Sequence, residues 1–167
     1  FRSRNNIMPP ISLDLRINEF QLDEASSLKH LGVIFDKNLH WQEQINAVYS
    51  KLFSRCYALS QARHHLDTNT LRTFYFSLIH RHIYCNESWD TTYKTFLGPV
   101  RKLQKRALRI ITQSCYNETS LPLFMKRNIL PYDKDHELKI STFVFNVKNN
   151  LPFLFSLFCP SSRVTRN

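Results

Sequence analysis

The chain has 167 residues, of which 43% are hydrophobic and 13% aromatic, with two glycines and a formal charge of +10. That apolar content excludes a disordered polyelectrolyte and suffices for one hydrophobic core with at most a small second one; the two glycines, Gly32 and Gly98, are too few for a turn-rich sandwich or barrel. The excess charge lies in residues 37–167, with 19 basic and eight acidic side chains against four and five in residues 1–36. A polyanionic partner is therefore expected, nucleic acid ahead of a membrane, with a merely soluble basic surface as the plain alternative.

Residues 1–12, FRSRNNIMPPIS, pair two prolines with no period and read as an extended lead-in. Beginning at Phe1 without a signal-like leader, the chain is expected to be an excised or partial product, intracellular in nucleus or cytoplasm. In LDLRINEFQLD, Leu13, Leu15 and Ile17 alternate with polar residues, pause at Asn18 and Glu19, and resume with Phe20 and Leu22, which predicts a hairpin. Residues 28–35 then read as the third strand of an antiparallel sheet, with Val33 and Ile34 on opposite sides of the pleat.

From Trp41 the period changes to 3.6. Trp41, Ile45, Val48, Tyr49, Leu52, Phe53, Cys56 and Tyr57 form one stripe of a helix of about twenty residues. Asp67 or Thr68 can cap a second helix with Leu71, Phe74, Tyr75, Leu78, Ile79 and Ile83 on its core face. After a loop at NESWDTTY, Thr95 can cap a third helix over 96–112, with Pro99 in its first turn. A short helix over about 120–127 precedes the NILPYD turn and a last helix over about 132–148, whose apolar residues include Leu138, Val144, Phe145 and Val147. Residues 151–167 form an aromatic tail with a polar end. The expected fold is mostly α with a small N-terminal antiparallel sheet (α+β), divided into 1–36 and a bundle of about five helices over 37–167.

The third helix carries the sharpest signal. Phe96, Leu97, Val100, Leu103, Ala107, Leu108, Ile110 and Ile111 cover half of its wheel, and Arg101, Lys102, Lys105, Arg106 and Arg109 fall within an arc of roughly 140° on the other half. No acid sits among them, so the face is either a solvated surface or one that meets phosphates.

Other chemistry-bearing residues have simpler readings. Cys56, Cys85, Cys115 and Cys159 lack the short paired spacings of a zinc module or disulfide framework and read as reduced, mostly buried thiols. On a helix only His82 and Cys85 of the trio His80, His82 and Cys85 share a face, too few for zinc. Asp133, Asp135 and Glu137 suit the positive end of a helix dipole better than a Mg²⁺ site. The sequons NES (86–88) and NET (117–119) read as chance, two isolated glycines cannot build a phosphate loop, and LPFLFSLFC (151–159) is too short to span a bilayer.

The stretch LKHLGVIFDKNLHWQEQI resembles the segment just beyond the palm in reverse transcriptases of non-LTR retrotransposons, the jockey and RTE-like group. The likeness continues in order through TLRTFYFSLIHRHIYC, SWDTTYKTFLGPVRKLQKRALRIIT, LPLFMKRNILPYD and VTRN, about residues 13–167. It implies a primer grip at His30, Leu31 and Gly32, followed by a helical thumb and C-terminal region with Arg101, Lys102, Lys105, Arg106 and Arg109 among phosphate contacts. The implied partners are an RNA–DNA or DNA template–primer duplex and the palm and fingers of a parent polymerase, with no membrane. Three features depart from the family: Arg81 stands where a proline often separates the two histidines, NESWDT where Trp-Gly follows the cysteine, and His40 where Thr or Ser usually caps the first helix. The palm's aspartates, which would hold Mg²⁺ in a full-length parent, have no counterpart, because this chain contains no adjacent aspartate pair. No cofactor and no catalytic residue is assigned to this chain, and alone it is predicted not to polymerise DNA. The rival readings are a helical protein-interaction module and a retrotransposon relic without function.

Overall fold

A computed structural model of the protein describes residues 16–17, 20–21, 25–90, 92 and 94–150. Leu13, Leu15, Leu22, Cys159 and the aromatic tail lie outside the described residues. The elements follow the expected α+β order: β1 (Arg16–Ile17), β2 (Phe20–Gln21), β3 (Ser27–His30), β4 (Val33–Asp36), α1 (Gln42–Ala62), α2 (Thr68–Leu78), a 3₁₀ turn (His80–Ile83), α3 (Asn86–Trp89), α4 (Lys94–Thr112), α5 (Ser120–Lys126) and α6 (Tyr132–Asn150).

The sheet corrects the sequence reading. Residues 28–35 are not one strand but most of a hairpin, in which β3 and β4 pair antiparallel with His30 opposite Val33. Leu31 and Gly32 form its two-residue turn, both at positive φ (47° and 84°), the geometry whose twist matches that of the flanking strands. Glycine takes this conformation freely, and a Cβ on Gly32 would meet the Tyr84 hydroxyl, which would have to shift from its place over the turn. That hydroxyl donates to the Leu31 carbonyl at 2.9 Å and fastens the turn to the helical body. Among the described residues the expected three-stranded sheet is thus replaced by two separate two-stranded ones, β1–β2 and β3–β4.

Asp36 joins sheet to helix. One carboxylate oxygen accepts from the N–H groups of Asn38 (3.0 Å) and His40 (2.9 Å), and the other from that of Trp41 (2.7 Å). The residue before α1 is Trp41, in a left-handed conformation with no side-chain cap of its own, so the missing Thr or Ser at His40 is compensated from the end of β4. Trp41 is buried and stacks obliquely on Phe35 at 5.3 Å. On the outer edge of β4, Ile34 N–H donates to the buried Gln44 side chain at 3.0 Å, which docks the hairpin on α1.

In the helical body α1 and α4 pack together, and α2 lies against both. The core stripe of α1 is Ile45, Val48, Leu52, Cys56 and Leu59; it is narrower than expected, and Tyr49, Phe53 and Tyr57 are exposed beside it. In α2 the cap is Asp67, which accepts from Asn69 and Thr70 N–H. This helix stops at Leu78 and tightens to a 3₁₀ turn, so Ile79 and Ile83 stay buried while Phe74 faces outward. NESW is a helical turn rather than a loop, and its Trp89 is fully buried. Asn86 of the first sequon is buried too.

Helix α4 starts at Lys94, so Pro99 lies inside it, beyond the first turn. Proline there removes a helical hydrogen bond, and the preceding Gly98 lacks the Cβ that would crowd its ring. On α6 only Val147 of the apolar residues singled out is buried; Leu138, Val144 and Phe145 are exposed. Among the described residues no helix is long and apolar enough to cross a membrane.

Burial works against ionisation of Asp36, but its three backbone donors outweigh burial and lower its carboxyl below the usual 3.8. A group whose folded pKa is depressed stabilises fully above its unfolded value, and that contribution is lost as pH falls through the folded value. Asp36→Ala is expected to cost about 1–2 kcal/mol in urea denaturation at neutral pH and to flatten the fall in stability below pH 4, a fall that the parent protein retains.

Candidate nucleic-acid interface

The apolar half of α4 is fixed by Leu97, Val100, Ala107, Leu108 and Ile111, all inaccessible to solvent. Gln104, unremarkable in the sequence, is buried among them. Its Nε2 donates to the Tyr75 hydroxyl (2.9 Å) and the Leu130 carbonyl (3.0 Å), and its Oε1 accepts from Tyr132 N–H at 2.8 Å. The Tyr75 hydroxyl, which burial pushes up to about 12, is neutral and able to serve as acceptor. One amide thus locks the rotation of α4 against α2 and the start of α6, and thereby the direction of its basic face.

That face divides in two. Arg101 turns toward α6, 2.7 Å from the Asp133 carboxylate and over the Tyr132 ring; the acid missing from α4 itself is supplied by another helix. Arg109 donates to the Glu118 carbonyl at 3.1 Å and lies 5.7 Å from the Tyr116 ring centre. Lys102, Lys105 and Arg106 are exposed and meet no carboxylate among the described residues. Together with Leu103, Arg109 and Tyr116 they line an open depression of about 700 Å³. The Arg106 guanidinium stands 5.8 Å from the exposed Phe53 ring of α1.

His30, Leu31 and Gly32 sit at the tip of the β3–β4 hairpin, where His30 is exposed and Leu31 is 84% exposed. His30 lines a separate, mainly apolar hollow with Leu28, Phe35 and Lys37. The six-residue depression of α4 includes none of the turn residues. The hairpin turn accounts for the glycine without any ligand.

The acids of α6 are occupied by cations in three directions: Asp133 by Arg101, Asp135 by Lys139 at 2.8 Å and Glu137 by Lys134 at 2.7 Å. Lys139 also donates to the Asn86 side chain at 2.9 Å. Nearby, the Tyr132 hydroxyl donates to Asp90 at 2.8 Å, and His136 Nε2 lies 3.4 Å from its other oxygen. Burial raises the Asp90 carboxyl despite the Tyr132 hydrogen bond and the nearby His136 and Arg101 side chains. These bonds tie α6 to α3. Among the described residues no group of three or more His, Cys, Asp or Glu is arranged to hold a metal ion. Cys56 is buried with its thiol pushed up to about 11 by desolvation, Cys85 is half-buried and Cys115 exposed, so the thiols are less uniformly buried than expected.

Gln104→Ala strands the buried Tyr75 hydroxyl and Tyr132 N–H and the partly buried Leu130 carbonyl, and each unpaired buried polar group costs roughly 1–3 kcal/mol. A loss of about 3 kcal/mol in urea denaturation is expected, against less than about 1 kcal/mol for Asp133→Asn, which removes only a partly exposed ion pair.

No protein-family model matches the chain, and no solved structure matches it. Among curated proteins it is similar to a probable RNA-directed DNA polymerase from transposon BS of Drosophila melanogaster, with 26% identity over 113 residues. The match takes in 65% of this chain and 12% of the length of that protein. The similarity supports a reverse-transcriptase-related segment.

Proposed function

We propose that the chain is the primer-grip, thumb and connection segment of a non-LTR retrotransposon reverse transcriptase of the jockey/RTE-like group, and that it holds template–primer nucleic acid through phosphate contacts. The observation that carries this reading is Lys102, Lys105 and Arg106, three cations without carboxylate partners among the described residues, on one open face of a helix whose rotation is locked from within. An exposed surface whose only need was solubility would gain from interspersed acids; a face that meets a polyanion would lose by them. Arg101 and Arg109 have protein partners and frame this trio. His30, Leu31 and Gly32 belong to the same proposal as the grip, on a turn that projects into solvent.

With no adjacent aspartate pair in the sequence, the chain binds without catalysing nucleotide addition, and Mg²⁺ belongs to a full-length parent. A second contact, with the palm and fingers of such a parent, is favoured by Leu138, Phe143, Val144 and Phe145, which leave α6 apolar toward solvent.

Binding to a labelled RNA–DNA hybrid duplex tests the proposal. Each neutralised phosphate contributes a slope of about −0.9 to log K against log salt, so three contacts predict a slope of about −3. Lys102→Glu, Lys105→Glu and Arg106→Glu together are expected to abolish binding. A salt-independent affinity, or one untouched by the triple reversal, would overturn the phosphate reading.

A further inference from the structure

We infer that the face shared by α1 and α4 binds a single nucleic-acid strand, with unpaired bases stacked on Phe53, Tyr57 and Tyr116 and phosphates held by Lys102, Lys105 and Arg106. The inference rests on the reading that α4 contacts nucleic acid and specifies which form of it.

The rings have left the core. Phe53 is 51% exposed, Tyr57 64% and Tyr116 87%. Phe53 and Tyr57 are one helical turn apart on α1, and Tyr49, one turn earlier, stacks on Phe53 with a centroid distance of 6.3 Å. Tyr116 stands beyond the C-terminal end of α4.

The cations stand beside the rings. Arg106 lies 5.8 Å from the centre of Phe53 and Arg109 5.7 Å from that of Tyr116, while Lys102 and Lys105 line the same depression as Arg106, Arg109 and Tyr116. Aromatic surface interleaved with positive charge is the chemistry of a strand-binding groove, where a backbone follows the charge and bases stack on the rings. Arg109 covers one face of Tyr116 at most, Phe53 keeps half of its surface open beside Arg106 and Tyr49, and Tyr57 is the more exposed of the two α1 rings.

A duplex would not use these rings. Its bases present edges in the grooves and no free π-face, so the rings would add nothing to phosphate contacts. The spacing points the same way: bases within a stacked strand are about 3.4 Å apart, while rings repeating once per helical turn are about 5.4 Å apart. An opened strand with splayed bases can follow that repeat. A protein or peptide covering the same apolar surface would have to bring acids to Lys102, Lys105 and Arg106, and its docking would depend on apolar area rather than on flat rings.

Fluorescence anisotropy with labelled 12-nucleotide DNA and RNA single strands and the corresponding RNA–DNA hybrid tests the inference at one moderate salt concentration. Single strands are expected to bind at least about tenfold more tightly than the hybrid. Replacing Phe53, Tyr57 and Tyr116 together by Leu should weaken single strands about tenfold or more and leave the hybrid within about twofold; Phe53→Tyr with Tyr57→Phe and Tyr116→Phe should keep the parent affinity. Tyr116→Leu alone, at an 87% exposed loop position, gives a smaller loss in the same direction and guards against misfolding of the triple variant. Equal or tighter hybrid binding, or Leu variants that bind single strands as the parent does, would overturn the inference while leaving the phosphate reading standing if Lys102→Gln, Lys105→Gln and Arg106→Gln still weaken both forms. Absence of binding to every probe by folded protein would overturn both.

Discussion

Gln104 is the constraint on which the rest of the structure depends. From inside the core its amide reaches α2 through Tyr75 and both residues that flank Pro131. Pro131 has no N–H, and its neighbours' backbone groups are therefore matched by a side chain that imitates a strand. A buried amide with both ends bonded fixes direction in a way that apolar packing alone does not. Helix α4 could slide or rotate among leucines and isoleucines at little cost; it cannot do so and keep these bonds. The orientation of Lys102, Lys105 and Arg106 follows from that lock.

The Asp36 carboxylate plays the corresponding part at the other end. It gathers the backbone of the 36–41 turn and delivers Trp41 to the core and Gln44 to the edge of β4. The hairpin is held twice, by Gln44 at its edge and by the Tyr84 hydroxyl at its tip. Sheet and helices thereby share one framework, although β3 itself is exposed along its whole length. The polar ties between α3 and α6, centred on Asn86, Asp90 and Asp135, anchor the N-terminal part of α6, and further along it Phe143, Val144 and Phe145 stay in water while Val147 is buried.

The order of helices was legible because apolar residues recur at 3.6 positions over long spans, and Asp67 was legible as a cap because it lies within reach of its own helix. The β3–β4 turn was not: eight residues beginning with Leu28 have strand-like composition, and Leu-Gly lacks the Asn or Asp that usually announces such a turn. Asp36 was missed as a cap because it acts from five residues before Trp41. A helical wheel places Gln104 next to Leu103 and Ala107 as a polar intrusion, and its partners lie 26 to 29 residues away. The same wheel cannot separate Arg101 from Lys102, since the difference is made by Asp133 on α6. Phe53 and Tyr57 looked like core for a related reason: the stripe of α1 is wider in sequence than the surface α4 offers to cover it.

Ultraviolet crosslinking of the protein to an RNA–DNA hybrid with a single-stranded overhang, read by mass spectrometry of the crosslinked peptides, tests the central claim most directly. Crosslinks concentrated at residues 49–57, 102–109 and 113–119 are the predicted result. Crosslinks confined to the β3–β4 hairpin or to α6, with none on α4, would contradict it.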